Sequence, residues 1–371
     1  MNILIFNWRD PKHSWAGGGE IYVFEQAKRW VKKGHKVTVF CSNDPYSKLK
    51  DKEEYKGIKI IRRGNRFSVY FWAPIYYLKY FRKSTDVVVD VENGIPFLTP
   101  FFSRKPKVCF VYHVHGRQFF YELPQPLSSI GFFIESFLFP LVYRFTKIVA
   151  ISKTTKNDLV NLGFNPKRIE IVYCGIDKPE GLEKKVKKFY APTLLYLGRI
   201  KAYKRVELLV EIFREVLKKK PGAKLIIAGW GTEASGLIDS VMRGKSRRRI
   251  HIMGPVTETE KRMLLSRSWL FVNPSIGEGW SIAVIESNVH GTPAVAFNVS
   301  GLSESIIDGK TGILAKDRED LIEKILEIIN NKKLRDTMSK EARTWAENFN
   351  WDKAASQTLR VLEQVHKVKS S

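Results

Sequence analysis

An α/β chain built from two doubly wound parallel sheets is what this sequence predicts, on three observations. Its 371 residues exceed the length at which a single hydrophobic core keeps growing, so two domains are expected. Short runs rich in valine, isoleucine and leucine alternate with helical segments, as strands buried on both faces of a parallel sheet do. That alternation stops after Asp177 and begins again at Thr193.

The elements follow in order. An apolar run at 2–8 is the first strand, and a loop with Pro11 and three glycines follows it. A helix over 20–33 is then stopped by Gly34, a C-terminal cap signal. Residues 36–41 form the second strand, and further strands are expected near 58–61, 86–91, 108–112, 148–151 and 169–172. Together they make a first domain over 1–178. Residues 179–192 contain Pro179, Gly181, a lysine cluster and Pro192, the composition of a linker. A second domain over 193–349 carries strands at 193–197, 224–228, 250–252, 269–272 and 294–297, with helices between. The last helices, from Lys332 to His366, lie beyond the second sheet, and 350–371 forms a terminal helix. Open α/β sheets bind ligands at the C-terminal ends of their strands. Two of them joined by a short linker are therefore expected to face each other across a cleft.

Composition narrows the partners. Hydrophobic content of 44% and charged content of 27% suit a soluble globular protein. A net charge of +25 implies attraction to something anionic: nucleic acid, a membrane surface or a phosphorylated substrate. Cys41, Cys109 and Cys174 are far apart and lack metal-ligand spacing, which implies buried thiols in a reducing compartment. The N-terminus reaches Arg9 and Asp10 too soon for a signal peptide. The most lipophilic run, 130–142, is too short to span a bilayer and carries Glu135. A cytoplasmic location is expected.

The chemistry concentrates in Gly277-Glu278-Gly279-Trp280-Ser281-Ile282-Ala283-Val284-Ile285-Glu286. Two carboxylates stand eight positions apart around a glycine-flanked turn that opens a helix. At 3.6 residues per turn, a loop Glu278 and a helical Glu286 can face one cleft. The N–H groups of Gly279, Trp280, Ser281 and Ile282 lie between them at the positive end of the helix dipole. Amides suit phosphate or sugar oxygens and carboxylates suit hydroxyls, so the pattern outlines a nucleotide-sugar site. Two ordinary helix glutamates are the bland alternative.

About 80 residues earlier, the strand at 193–197 runs into Gly198-Arg199-Ile200 and then Lys204. This pattern and the later Glu-x7-Glu helix resemble the retaining glycosyltransferases of the GT-B class, in glycosyltransferase family 4. Gly17-Gly18-Gly19-Glu20, Asn273-Pro274-Ser275 and Gly291-Thr292-Pro293-Ala294-Val295-Ala296 match the same family. The resemblance runs from Asn2 to about Leu362. It implies a GT-B fold, with two Rossmann-like domains and a C-terminal helix crossing back to the first. It also implies that Glu286 binds ribose hydroxyls, and that Glu278 and His113 contact the transferred sugar. His115 is the rival to His113, and strand alternation favours neither.

Moving a glycosyl group from a nucleoside diphosphate requires stabilising the departing diphosphate. No Asp-x-Asp tripeptide occurs to hold a metal. Fixed charge from Arg199 and Lys204, with helix N-terminal amides, is the expected substitute. No metal and no cofactor are called for, because the nucleotide sugar is a substrate. Backbone amides at Gly18 and Gly19 could meet the diphosphate from the opposite wall. Those glycines do not form a dinucleotide fingerprint, since Tyr22 stands at its third glycine position. The chain departs from the family twice: Arg205 and Ser281 stand where glycine is usual. Arg205 could shift the turn or add a phosphate contact.

Residues 56–85 hold eight basic residues, eight aromatics and no acid, and 119–145 adds more apolar aromatics. Such a mixture suits the headgroup region of an anionic bilayer, although a packed helix with a solvated basic face would show it too. Single-stranded nucleic acid also suits it, but no recognition motif accompanies it, so nucleic acid is not the expected partner. The expectation is a retaining transferase using a nucleotide-diphosphate sugar, UDP-linked before GDP-linked. Its acceptor would be a lipid-linked or cell-surface glycan at the inner face of the membrane. The alternatives are an inactive scaffold that binds nucleic acid or membrane, and a soluble transferase resembling sucrose or glycogen synthases.

Overall fold

The computed structural model describes residues 1–177 and 186–368, so residues 179–185 of the expected linker lie outside the described residues. The chain divides into two compact units, Met1–Gly175 with Phe349–Ser371, and Ile176–Asn348.

The first unit is built on eight strands: β1 (Asn2–Phe6), β2 (Lys36–Cys41), β3 (Lys52–Tyr55), β4 (Ile58–Arg62), β5 (Val87–Glu92), β6 (Lys107–Val111), β7 (Lys147–Ala150) and β8 (Ile169–Ile171). Their spatial order is β3-β4-β2-β1-β5-β6-β7-β8. Every neighbouring pair is parallel except β3 with β4. The winding direction reverses between β1 and β5, the point at which open α/β sheets bind ligands. All six residues of β5 are buried, including Asp90. Its carboxyl accepts from the Thr99 hydroxyl at 2.7 Å, the Phe97 N–H at 3.0 Å and the Tyr143 hydroxyl, so the buried polar group is hydrogen-bonded.

The terminal helix Trp351–Val368 belongs to this first unit and packs along helix Gly18–Lys32. The Trp30 indole donates to Ala355 O at 2.9 Å, and the Thr358 hydroxyl donates to Gln26 Oε1 at 2.5 Å. Both contacts are buried, which makes the pairing specific as well as apolar.

The second unit carries β9 (Thr193–Leu197), β10 (Lys224–Ala228), β11 (Ile250–Gly254), β12 (Leu270–Asn273), β13 (Ala294–Phe297) and β14 (Gly312–Ala315). Their order is β11-β10-β9-β12-β13-β14, with all pairs parallel and a reversal between β9 and β12. Helix Val206–Lys219 covers one face through Val206, Leu209, Val210, Phe213 and Val216, the spacing of a single helical stripe. Lys218 and Lys219 in its last turn complement the negative end of its dipole.

Two strands escaped the sequence reading. Lys-Glu-Glu-Tyr of β3 is charged and half exposed, so it lacks the apolar run that marks a buried strand. It forms a hairpin with β4 through Lys56 and Gly57, both at positive φ (56° and 78°), as a two-residue turn matching strand twist requires. β14 is four residues long and half small, too short for periodicity to register. The helix expected from Glu20 begins at Gly18, because Glu20 sits inside its first turn and accepts the Gly17 N–H at 2.7 Å.

Arg62 corrects the reading of 56–85 as an uninterrupted basic surface. Its side chain is fully buried and pairs with Asp10 at 2.7 Å and Glu53 at 2.6 Å. Among the described residues no helix is long and apolar enough to cross a membrane.

Candidate active site

The second unit gathers most of the expected site residues at the β9/β12 reversal. After β9 the chain runs through Gly198, Arg199 and Ile200 into a short turn, Ala202–Lys204. This segment lies backbone to backbone with the loop after β10. A Cβ at Gly229 would stand 1.9 Å from Gly198 O, and one at Gly231 would stand 2.0 Å from Ile200 O. Ile200 N donates to Trp230 O at 3.1 Å. Only glycine permits that approach, and it fixes where Arg199 leaves the strand. The Arg199 guanidinium lies 3.4 Å from the Tyr203 hydroxyl, and Arg199 O accepts from the Tyr196 hydroxyl at 2.7 Å.

Lys204 and Glu278 form an ion pair with side chains only 15% and 11% exposed. The same carboxylate oxygen accepts from the Ser275 hydroxyl at 2.8 Å and the Asn273 amide at 3.3 Å. Burial pushes the Glu278 carboxyl up, but Lys204 and those two donors outweigh it and hold it below its ordinary value. Burial likewise pushes the Lys204 ammonium down and Glu278 more than restores it. Both groups are therefore charged at neutral pH. Glu278 N donates to Ser300 O at 3.0 Å, and Gly301, at φ 75°, lies so close that a Cβ would stand 2.1 Å from Glu278 O.

Helix Ile282–Val289 opens at Ser281, whose hydroxyl accepts from Asn273 at 3.3 Å instead of capping its own helix. Gly279 and Trp280 form the turn before it, and Ser281 O accepts from the Val284 and Ile285 N–H groups at 3.1 and 3.3 Å. Glu286 pairs with Lys261 at 2.7 Å. Here burial raises the carboxyl and Lys261 only partly offsets it. Arg205 adopts a left-handed conformation that favours glycine, at φ 52° and ψ 40°, and its guanidinium lies over the Phe297 ring at 5.2 Å. Arg205 is thus engaged with an aromatic face.

Gly18, Gly19 and His113 fall in the first unit. The Tyr112 hydroxyl donates to Gly19 O at 2.8 Å, and its ring would be 2.6 Å from a Cβ at Gly19. Tyr112 therefore ties the glycine loop to the end of β6. His113 Nε2 lies 2.8 Å from Gln118 Oε1, and its ring is 4.1 Å from that of His115. Sequence reasoning missed two acids beside these histidines. Glu92 ends β5, and Glu135 bonds the His115 and Gly116 amides at 2.7 and 2.6 Å. The available signal was Glu135 itself, a lone acid inside the most lipophilic run.

Comparison with known proteins agrees with this architecture. The family model described as Glycosyl transferases group 1 matches residues 177–345, and that described as Glycosyltransferase Family 4 matches 16–179. An uncharacterized glycosyltransferase of Methanocaldococcus jannaschii is 26% identical, covering 94% of this chain and 95% of that one. Among solved structures, sucrose-phosphate synthase from Thermosynechococcus elongatus superposes with a TM-score of 0.79 at 19% identity, covering 99% of each chain. The Anabaena protein HepE in complex with UDP and glucose gives a TM-score of 0.77 at 16% identity, covering 98% of this chain and all of that one. The chain belongs to the GT-B glycosyltransferases of the family 4 type, and it is a glycosyltransferase enzyme.

Proposed function

We propose that this enzyme transfers a sugar, with retention, from a nucleotide-diphosphate donor to a lipid-linked or cell-surface glycan. A UDP-sugar is favoured over a GDP-sugar. The observation that carries the reading is the Lys204–Glu278 pair, buried and charged at the β9/β12 reversal with Arg199 beside it. HepE, on the same fold, is seen with UDP and glucose, which supports the uridine preference.

In this reading Arg199 and Lys204 neutralise the diphosphate as it leaves, in place of a metal. Glu286 accepts hydrogen bonds from the ribose diol. Glu278 orients the sugar and sets negative charge near the developing oxocarbenium centre. The bond from the anomeric carbon to phosphate oxygen breaks, and a bond to the acceptor oxygen forms on the same face. The acceptor's proton goes to the departing phosphate. His113 contacts the sugar by hydrogen bonding, and the amides of Gly18, Gly19, Gly279, Trp280, Ser281 and Ile282 complete the donor's polar surroundings.

The enzyme is proposed to act at the inner face of the cell membrane, held there peripherally and without nucleic acid as a partner. Ile130, Phe133, Phe137 and Leu141 are exposed, and Phe133 and Phe137 stack at 5.5 Å. Arg66, Lys79, Arg82 and Lys83 supply exposed positive charge. A soluble acceptor is the second reading, favoured by the similarity to sucrose-phosphate synthase. A panel of nucleotide-diphosphate sugars read by thermal shift tests the donor. A true ligand at 100 times its dissociation constant adds about 2.7 kcal/mol, and no shift with any UDP- or GDP-sugar refutes the reading.

A further inference from the structure

The run from Ile130 to Leu141 presents Phe133 and Phe137 to solvent, while Glu135 between them is 1% exposed. The helix widens here into a π-turn over Ile134–Leu138, a local irregularity that re-aims side chains and recurs at functional sites. The inward Glu135 meets the loop that follows β6. Its Oε1 accepts the His115 N–H at 2.7 Å and lies 3.2 Å from His115 Nδ1, while Oε2 accepts the Gly116 N–H at 2.6 Å.

His115 is thereby fixed on each side. Its ring stacks on Phe119 at 5.1 Å and lies 4.1 Å from the His113 ring. Gly94, at φ 98°, lies alongside: a Cβ there would stand 3.6 Å from the imidazole, an ordinary van der Waals contact. His113 is held from its other side by Gln118, which in turn donates to Glu122 at 3.0 Å.

We propose that Glu135 is a positioning residue, clamping the loop through His115 and so setting where His113 presents its imidazole. This rests on the reading that His113 contacts the transferred sugar. Acids facing the pair come from three elements: Glu135 from its helix, Glu92 from β5, and Glu122 from the short helix after the loop. Asp90 acts on Glu92 along the same strand, and Asp158 senses Glu135. Burial, and then the neighbouring Glu135, push Glu92 up to about 8. Burial pushes the His115 imidazole down, but its bond to Glu135 outweighs that and raises it. His115 and Glu135 form a buried pair, Nδ1 to Oε1 at 3.2 Å. A buried pair loses its balance when one member is removed, because the other charge stays behind without a partner.

The test uses the full chain with isotope-labelled histidine, the His115 signal being identified with His115→Gln. In the wild type His115 should titrate above its ordinary value, and Glu135→Gln should lower its midpoint toward that value. Glu135→Gln should also lower kcat on the order of tenfold, leave KM for the donor within about twofold, and Glu135→Asp should recover part of the loss. An ordinary His115 midpoint in the wild type, or unchanged kcat in Glu135→Gln, overturns the proposal. His115→Gln gives a second route to the same split should Glu135→Gln not fold. Failure of the wild type to bind UDP, with the histidine shift intact, would instead refute the donor assignment and leave the clamp standing.

Discussion

Lys204 and Glu278 neutralise one another, so on the proposed reading a diphosphate must compete for the ammonium. That competition suits a site that engages charge only when a phosphate enters. Lys204→Ala should lower kcat/KM on the order of 100-fold, and UDP affinity of the wild type should be the same in EDTA as without it. UDP binding that vanishes in chelator and returns with manganese would rule out a metal-free diphosphate site. The two glutamates should separate under isothermal titration with UDP. Glu286→Ala should weaken UDP binding, whereas Glu278→Ala should leave it nearly intact and impair transfer, and equal losses would mean the roles are misassigned. The pH dependence has a definite sign. Glu278 is held below its ordinary 4.5, so its contribution to stability is present above that pH and fades as pH falls through its folded value. The melting deficit of Lys204→Met, which leaves the carboxylate buried alone, should therefore be large at pH 7 and shrink in acid.

Elements were legible where burial is uniform. β2, β9, β10 and β13 occupy the residues the apolar runs predict, because strands covered on both faces write an unbroken hydrophobic signal. The edges were not legible. β3 earns its place through Glu53, which joins Asp10 in holding Arg62, and no local pattern announces a partner nine residues away in the hairpin. The site divides in the same way. Glu278, Glu286, Arg199 and Lys204 stand in sequence motifs, whereas Glu135 reaches the His115 loop from twenty residues away. Gly301 is the comparable case for the Glu278 loop, since its role is spatial. Gly301→Ala would drive a Cβ to 2.1 Å from Glu278 O at a positive φ, and holding a residue in such a sparsely populated conformation costs on the order of 1–3 kcal/mol by itself. Transfer should fall and the melting temperature with it, while native-like melting with full transfer would show that the loop relaxes freely.

At the scale of the whole molecule, the proposed surface attachment rests on a charge of +25 and on the exposed Arg66, Lys79, Arg82 and Lys83. Burial of Arg62 removes one charge from that face and sharpens the test. Arg63, Arg66, Lys79, Arg82 and Lys83 changed together to glutamine form the charge variant, and Phe133, Phe137 and Leu141 changed to serine form the apolar variant. Each lysine or arginine near an anionic surface contributes about 1 kcal/mol, and salt screens that term. The charge variant should thus lose most co-sedimentation with anionic vesicles, and its residual binding should be insensitive to salt. The apolar variant should keep salt-sensitive binding and lose the salt-resistant part, because inserted aromatics do not depend on ionic strength. Arg62→Gln should behave differently from both: breaking a buried pair costs about 3–5 kcal/mol, so the melting temperature should drop while vesicle binding of the folded protein is unchanged. Wild type and charge variant binding anionic vesicles equally, or neither binding, would exclude membrane attachment through this surface. The acceptor would then have to reach the enzyme from solution.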